Sequence, residues 1–408
     1  MSSAAQPAST AAPNTYGYVS TRHILSFVFF SFVIYLAIGL PLATLPAYVH
    51  FKMGFSAAMA GVVISIQAIA TFISRPWAGR ISDRTGAKLS VLWGMATCTL
   101  SGAFLLVAPL LRHWPWISFG VIILSRLALG VGESLGSTGA TLWGIASAGQ
   151  TQTARVISYN GVSTFGALAL GAPLGVVIEQ HLGLAAIGVL TILVSAASFA
   201  LALRKPNIEV IHTGEHLPFT AVLGRVVPHG MGLALGGLGY SVLATFVTLY
   251  FVSRHWTGAA LCLTAFGFSF IIARLLFIRA IDHYGGLPVG IVCLSVESFG
   301  VFLLWRAPAE WVAFCGAALA GFGYSLVFPA LGVEAVRRVP IHNRGTALSV
   351  YTVFSDVSFF LVGPIAGAVI GVWGYASAFL FALISVLASL GIVVVLRQLQ
   401  AKEQTIHP

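Results

Sequence analysis

The sequence predicts an all-α membrane protein: twelve transmembrane helices in two pseudo-symmetric six-helix bundles, both termini cytoplasmic. Three observations predict it. Of the 408 residues, 58% are hydrophobic and only 8% charged, whereas a soluble domain carries about 25% charged residues. Apolar runs of about 20 residues, each long enough to cross a bilayer, recur along the whole chain. A charged corner occurs twice, in ISRPWAGRISDRTGAK (Ile73–Lys88) and IARLLFIRAIDHYG (Ile272–Gly285). At one constant offset Ile73, Arg75, Arg80, Asp83 and Gly86 map onto Ile272, Arg274, Arg279, Asp282 and Gly285, as in a duplicated membrane transporter.

The apolar spans are predicted at 24–48, 56–79, 88–111, 116–146, 154–179, 183–203, 227–252, 258–279, 288–305, 310–336, 345–370 and 375–396. They are continuous rather than alternating, so helices and not barrel strands are required. Residues 1–21 read as a disordered cytoplasmic tail. The first twenty are Ser/Ala/Thr/Pro-rich and uncharged, without the basic n-region and cleavage site of a signal peptide. Residues 22–203 form the N-terminal bundle. The longest polar interruption, 204–225, is the cytoplasmic linker; 226–397 form the C-terminal bundle and 398–408 a cytoplasmic tail. The repeat extends beyond the corner: Gly132-Glu133-Ser134 matches Gly323-Tyr324-Ser325, and Pro173 matches Pro364 at the same spacing.

Orientation follows from lysine and arginine. With the N-terminus inside, sixteen basic residues, Arg75 and Arg274 among them, fall on inside segments, and four (Lys52, Arg112, Arg254, Arg306) on outside loops. That bias places both termini in the cytoplasm. Trp114, Trp116, Trp256 and Trp311 fall at predicted outer edges, where amphipathic rings sit.

Other classes are disfavoured. The net charge of +10 is spread over short loops, not gathered into a nucleic-acid surface. The four cysteines lie in apolar runs without a CxxC pair, which indicates neither disulfide nor zinc site. No HExxH or GxxxxGK[ST] pattern occurs, which argues against a zinc-dependent membrane enzyme and an ATP-driven pump. No cofactor or metal is expected.

The stretch Gly79-Arg-Ile-Ser-Asp83-Arg-Thr-Gly86-Ala-Lys88 matches the G-x-x-x-D-R-x-G-x-K/R signature between helices two and three of the major facilitator superfamily, and the chain resembles that family over nearly its whole length. The second copy, Arg279 to Gly285, is degenerate. Ser125-Arg126-Leu-Ala-Leu-Gly130 resembles the arginine-bearing helix-four motif. Gly166-Ala-Leu-Ala-Leu-Gly171-Ala-Pro173-Leu-Gly175 resembles the helix-five motif of drug/proton antiporters, departing by setting Ala172 between glycine and proline. The GAPLG and LPFTAVLGRV stretches look most like the YhhS/YfcJ branch of bacterial transporters. The resemblance implies a monomer in the bacterial inner membrane that couples protons to a small-molecule substrate.

Candidate residues follow. Gly79, Arg80, Asp83, Arg84, Gly86 and Lys88, with Arg279 and Asp282 in the second copy, are expected to gate conformation by pairing across helices, or to form a solvated basic turn. Arg126 and Glu133 lie about 10 Å apart along one helix face, and Asp356 lies at mid-depth in span eleven. Charges there are costly and normally face a cavity or one another. These three are the expected proton-coupling residues; the plain alternative is a buried, internally satisfied set. Glu297 reads first as an inter-helix hydrogen bond, and Glu334 as a helix-end pair with Arg337 and Arg338. Gly171, Pro173, Gly175 and Pro364 are expected to bend helices or allow close approach, with Pro41, Pro46 and Pro329 acting similarly. Tyr35, Gln67, Tyr159, Asn160, Tyr240, Tyr324 and Tyr351 are the uncharged cavity candidates. The favoured function is proton-coupled efflux of a small molecule. A proton-coupled importer of a polar metabolite and a non-transporting membrane sensor are the alternatives.

Overall fold

With no water in the hydrocarbon core, a helix is the way a continuous apolar segment satisfies its own backbone, and the computed structural model is built of helices. It describes residues 19–149, 152–208, 219–277, 279–339 and 344–406. The side chains of Asp83 and Asp282, and parts of both predicted tails and of the linker, lie outside the described residues.

Among the described residues, twelve helices are long and apolar enough to cross a membrane: span 1 (Thr21–Lys52), span 2 (Ala57–Ser82), span 3 (Ala87–Leu111), span 4 (Pro115–Ala148), span 5 (Arg155–Leu182), span 6 (Leu184–Arg204), span 7 (Val222–Ser253), span 8 (Ala259–Leu276), span 9 (Gly286–Arg306), span 10 (Glu310–Arg337), span 11 (Val350–Trp373) and span 12 (Ala376–Lys402). Each coincides with a predicted span. The last helix continues to Ile406, so most of the predicted C-terminal tail is helical.

The starts and stops are local chemistry. Ser20 and Ser56 cap spans 1 and 2, their hydroxyls accepting the His23 and Met59 amides at 3.3 Å each, which satisfies a free first-turn donor. The corners after spans 2 and 8 turn on Gly86 (φ 95°) and Gly285 (φ 83°), and those after spans 5 and 11 on Gly183 (φ 82°) and Gly374 (φ 81°). Glycine alone takes that backbone cheaply. Each pair occupies repeat-equivalent positions, so the duplication is written into the backbone.

Packing repeats the same symmetry. In the first half, spans 3 and 4, 1 and 5, 2 and 4, and 3 and 6 pack together. In the second, spans 9 and 10, 7 and 11, 8 and 10, and 9 and 12 do so. The halves meet along two equivalent seams, span 2 on span 11 and span 5 on span 8. Small residues make the first seam: a Cβ built on Gly61 would lie 2.6 Å from the Gly363 Cα, and one on Gly367 2.6 Å from the Ala58 Cα. Such backbone approach supplies the van der Waals contact that drives association in lipid.

Prolines act unequally. Span 1 breaks after Pro41 into Thr21–Leu42, Thr44–Ala47 and a π-helical turn Tyr48–Lys52. Span 10 breaks into Glu310–Tyr324 and Val327–Arg337 just before Pro329. Spans 5 and 11 stay continuous through Pro173 and Pro364. Trp114, Trp116 and Trp311 stand exposed, whereas Trp256 packs on Tyr250 and Phe251. Arg75 and Arg274, counted among the inside basic residues, lie within spans 2 and 8, as the predicted spans 56–79 and 258–279 have them.

Candidate functional site

Span 2 carries Gln67, Thr71 and Arg75 four residues apart, one above another on a helix face. That face meets span 4, where Gly130 brings the helices close enough for Thr71 Oγ1 to donate to the Gly130 carbonyl at 3.1 Å. Glu133 accepts from Gln67 Nε2 at 3.0 Å and from Thr71 Oγ1 at 3.0 Å. Arg126, fully buried, donates through Nη2 to Gln67 Oε1. The two charges of span 4 are thus joined through an amide from span 2, which spans the distance they cannot close themselves. Arg126 Nε and Nη1 have no hydrogen-bond partner among the described residues.

One turn further along span 2, Arg75 reaches the other half. Its Nε donates to Asp356 Oδ2 at 2.5 Å and its Nη2 to Oδ1 at 3.0 Å. This is the two-pronged guanidinium–carboxylate fork, stronger and more directional than a neutral hydrogen bond. Both side chains are largely buried, at 18% and 11% exposure. Tyr35 of span 1 lies within electrostatic reach of Glu133, Arg75 and Asp356 and beside Ser137. Two arginines and two carboxylates therefore form one formally balanced network at the first seam. Toward the opposite end from the termini the seam is sealed by Ser65, whose hydroxyl donates to the Phe359 carbonyl at 3.0 Å and accepts the Gly363 amide at 3.0 Å. Beyond it, His50 Nε2 and the Tyr375 hydroxyl meet at 2.8 Å.

The second seam is aromatic. Phe165 of span 5 packs on Phe270 of span 8 with ring centroids 4.3 Å apart, and Tyr240 stacks on Phe266 at 4.7 Å and Tyr324 at 6.1 Å. Leu42, Leu168 and Ala172 complete an apolar niche there.

The expected cavity residues separate. Tyr35 and Gln67 join the charged network, and Tyr240 and Tyr324 the aromatic cluster. Tyr159 packs with Ile24 and Val28 near the termini, and the Asn160 Oδ1 is buried without a partner among the described residues. Tyr351 is buried and donates to the Phe328 carbonyl at 2.9 Å. Gly171 and Gly175 lie against Gly39 and Leu40 of span 1, while Pro173 and Pro364 sit within unbroken helices.

At the corner, Arg80, Arg84 and Arg279 are exposed and Gly79 is open. Lys88 donates to the Leu203 and Lys205 carbonyls at 2.9 and 2.6 Å, closing the end of span 6; Gly86 makes the turn. Glu334 accepts the Gly286 amide at 3.0 Å and pairs with Arg337 at 3.3 Å. The hydrogen bond expected of Glu297 is not made: the side chain is fully buried, yet neither oxygen has a partner among the described residues. Arg75, Thr71 and Ser65 were missed by sequence reasoning; the four-residue series through Gln67 was the signal available.

The sequence profile of the Major Facilitator Superfamily matches residues 27–261 and 230–406. An uncharacterised MFS-type transporter of Burkholderia mallei (strain SAVP1) is 51% identical over 94% of each chain, and one of Pseudomonas aeruginosa (strain LESB58) is 51% identical over 93% of this chain and 94% of its own. The crystal structure of a D-xylose-proton symporter superposes with a TM-score of 0.74 over 91% of this chain and 97% of that one, at 17% identity. Twelve spans, two repeat-related halves meeting at two seams, and relatives of matching length agree: the chain belongs to the Major Facilitator Superfamily.

Proposed function

We propose that the protein is a secondary transporter of the bacterial inner membrane that exports a small organic molecule in exchange for protons by alternating access. The observation that carries this reading is the Arg75–Asp356 ion pair, which bridges the halves and lies within electrostatic reach of Glu133. Protonation of Asp356 removes one charge of that pair and leaves Arg75 facing Glu133; the seam then loses its strongest polar contact and the halves rock apart. Loss of the proton on the other side restores the pair. The basic corner, Gly79 to Lys88 with Arg279 and Asp282, acts as the cytoplasmic gate. The GAPLG and LPFTAVLGRV stretches support a place in the YhhS/YfcJ branch.

The test uses everted vesicles and a substrate identified from a thermal-shift panel. An exporter accumulates substrate when protons are pumped inward; an importer of a polar metabolite does not. Asp356→Asn is expected to abolish proton-driven accumulation while substrate-driven exchange persists. Undiminished accumulation by that variant, at normal abundance, would remove Asp356 from the coupling.

A further inference from the structure

The repeat makes Arg75 and Arg274 equivalent, but their surroundings differ. Arg75 is forked onto Asp356 and feels Glu133. Arg274, on the matching face of span 8, is 8% exposed and looks across the second seam at span 5. Its Nη2 would lie 3.0 Å from a Cβ at Gly161. Its Nη1 donates to the Ser325 carbonyl at 3.3 Å, and its guanidinium carbon is 5.9 Å from the centre of the Phe270 ring. Among the described residues no carboxylate is within ion-pair distance of it.

The sequence explains the difference. At the offset that pairs Pro173 with Pro364 and Gly132 with Gly323, Asp356 corresponds to Phe165 and Glu133 to Tyr324. Both acids around the first arginine are rings around the second, and those rings lie together, 6.3 Å between centroids. A guanidinium has five donors, and a cation held inside a membrane bundle is costly unless an anion or a polar surround meets it. One carbonyl serves one donor. The first seam carries its own counter-ion; the second offers its guanidinium one backbone carbonyl and a flat apolar wall, with no carboxylate among the described residues.

We infer that Arg274 is a substrate-binding residue for the carboxylate of a flat apolar organic acid, whose ring lies against Phe165, Phe270, Tyr240 and Tyr324. The ligand's carboxylate takes at the second seam the place that Asp356 holds at the first. This rests on the transporter reading for its purpose but not for its test.

The test is direct binding to the full chain in a neutral detergent, using benzoate, 2-naphthoate and indole-3-acetate, each against its own amide. The acids are expected to bind more tightly than the amides. Arg274→Gln should weaken acid binding about tenfold or more, the value of one charge-assisted contact, and leave the amides unchanged; Arg274→Lys should retain part of the preference. Phe165→Asp keeps Arg274 but supplies the counter-ion from within, and should abolish the preference in a protein that still binds amides; Phe165→Leu should not. Equal binding of acids and amides, or a preference that survives both Arg274→Gln and Phe165→Asp, overturns the inference. Phosphatidylglycerol displacing 2-naphthoate at equal concentration would overturn the small-molecule assignment in favour of a lipid phosphate. Acid preference without proton-linked flux would sink the transport reading alone. Proton-linked flux with charge-blind binding would sink this one alone.

Discussion

Gln67 has an amide with two ends, and the structure uses both: the carbonyl takes Arg126 and the amino group gives to Glu133. Gln67→Leu fits the volume but strands a buried cation and takes one of two donors from the buried Glu133 carboxyl. The expected loss is about 2 kcal/mol, since hydrogen bonds to charged groups are worth about 1.5–3 kcal/mol, read as a lower melting temperature of the purified protein. The Arg75–Asp356 pair makes a sharper prediction. Removing one member of a buried pair costs about 3–5 kcal/mol, because the other charge is left uncompensated. Arg75→Ala and Asp356→Ala should each destabilise strongly, and the double variant should be more stable than either. Additive losses in that cycle would show that the two side chains do not depend on each other. Neither contact was legible in the sequence. Gln67 reads as a cavity amide because nothing local tells a bridging amide from a lining one. Arg75 reads as one of the inside basic residues because it stands next to Pro76 and near the basic corner. Its partner is 281 residues away, and no spacing rule reaches that far.

At the scale of the helix, the spans themselves were legible, since lipid demands about 20 apolar residues and self-satisfied backbone. Which helix faces which was not. A helix apolar on every side advertises no preferred face, and only the charged exceptions Arg126, Glu133 and Asp356 hinted at an interior direction. The seam between spans 2 and 11 depends on the absence of side chains. Gly61→Leu would drive a branched side chain into the Gly363 backbone, 2.6 Å from where its Cβ must sit. It should hold this seam open at the end away from the termini and stop transport at normal abundance. A single cysteine placed at Ser65, with Cys98, Cys262, Cys293 and Cys315 replaced, should react with an impermeant maleimide in Gly61→Leu and be protected without it.

For the whole molecule, the twofold relation between halves was visible in the repeated corner and confirmed by packing that maps span on span. What the repeat does not share is as informative as what it shares, since one seam is ionic and the other aromatic. Without Arg75 and Arg274, which lie buried or half-buried at the seams, fourteen basic residues remain on the inside segments against four outside, so the orientation argument survives. Fluorescent-protein fusions at either terminus should glow, and alkaline phosphatase fusions at either should be inactive; the reverse at one end would break the topology.

The hydroxyl of Ser65 touches the Phe359 carbonyl and the Gly363 amide at once, the two members of a single rung in the ladder of span 11. A group from one half is thereby spliced into the spine of the other, immediately before Pro364, where the next rung has no hydrogen to offer. When the halves part, both groups lose that hydroxyl, and the Gly363 amide is left to its own helix or to water. The amide of Gly363 therefore keeps a molecular clock: its rate of deuterium uptake should record how long the protein spends unclasped, with no cargo or label required.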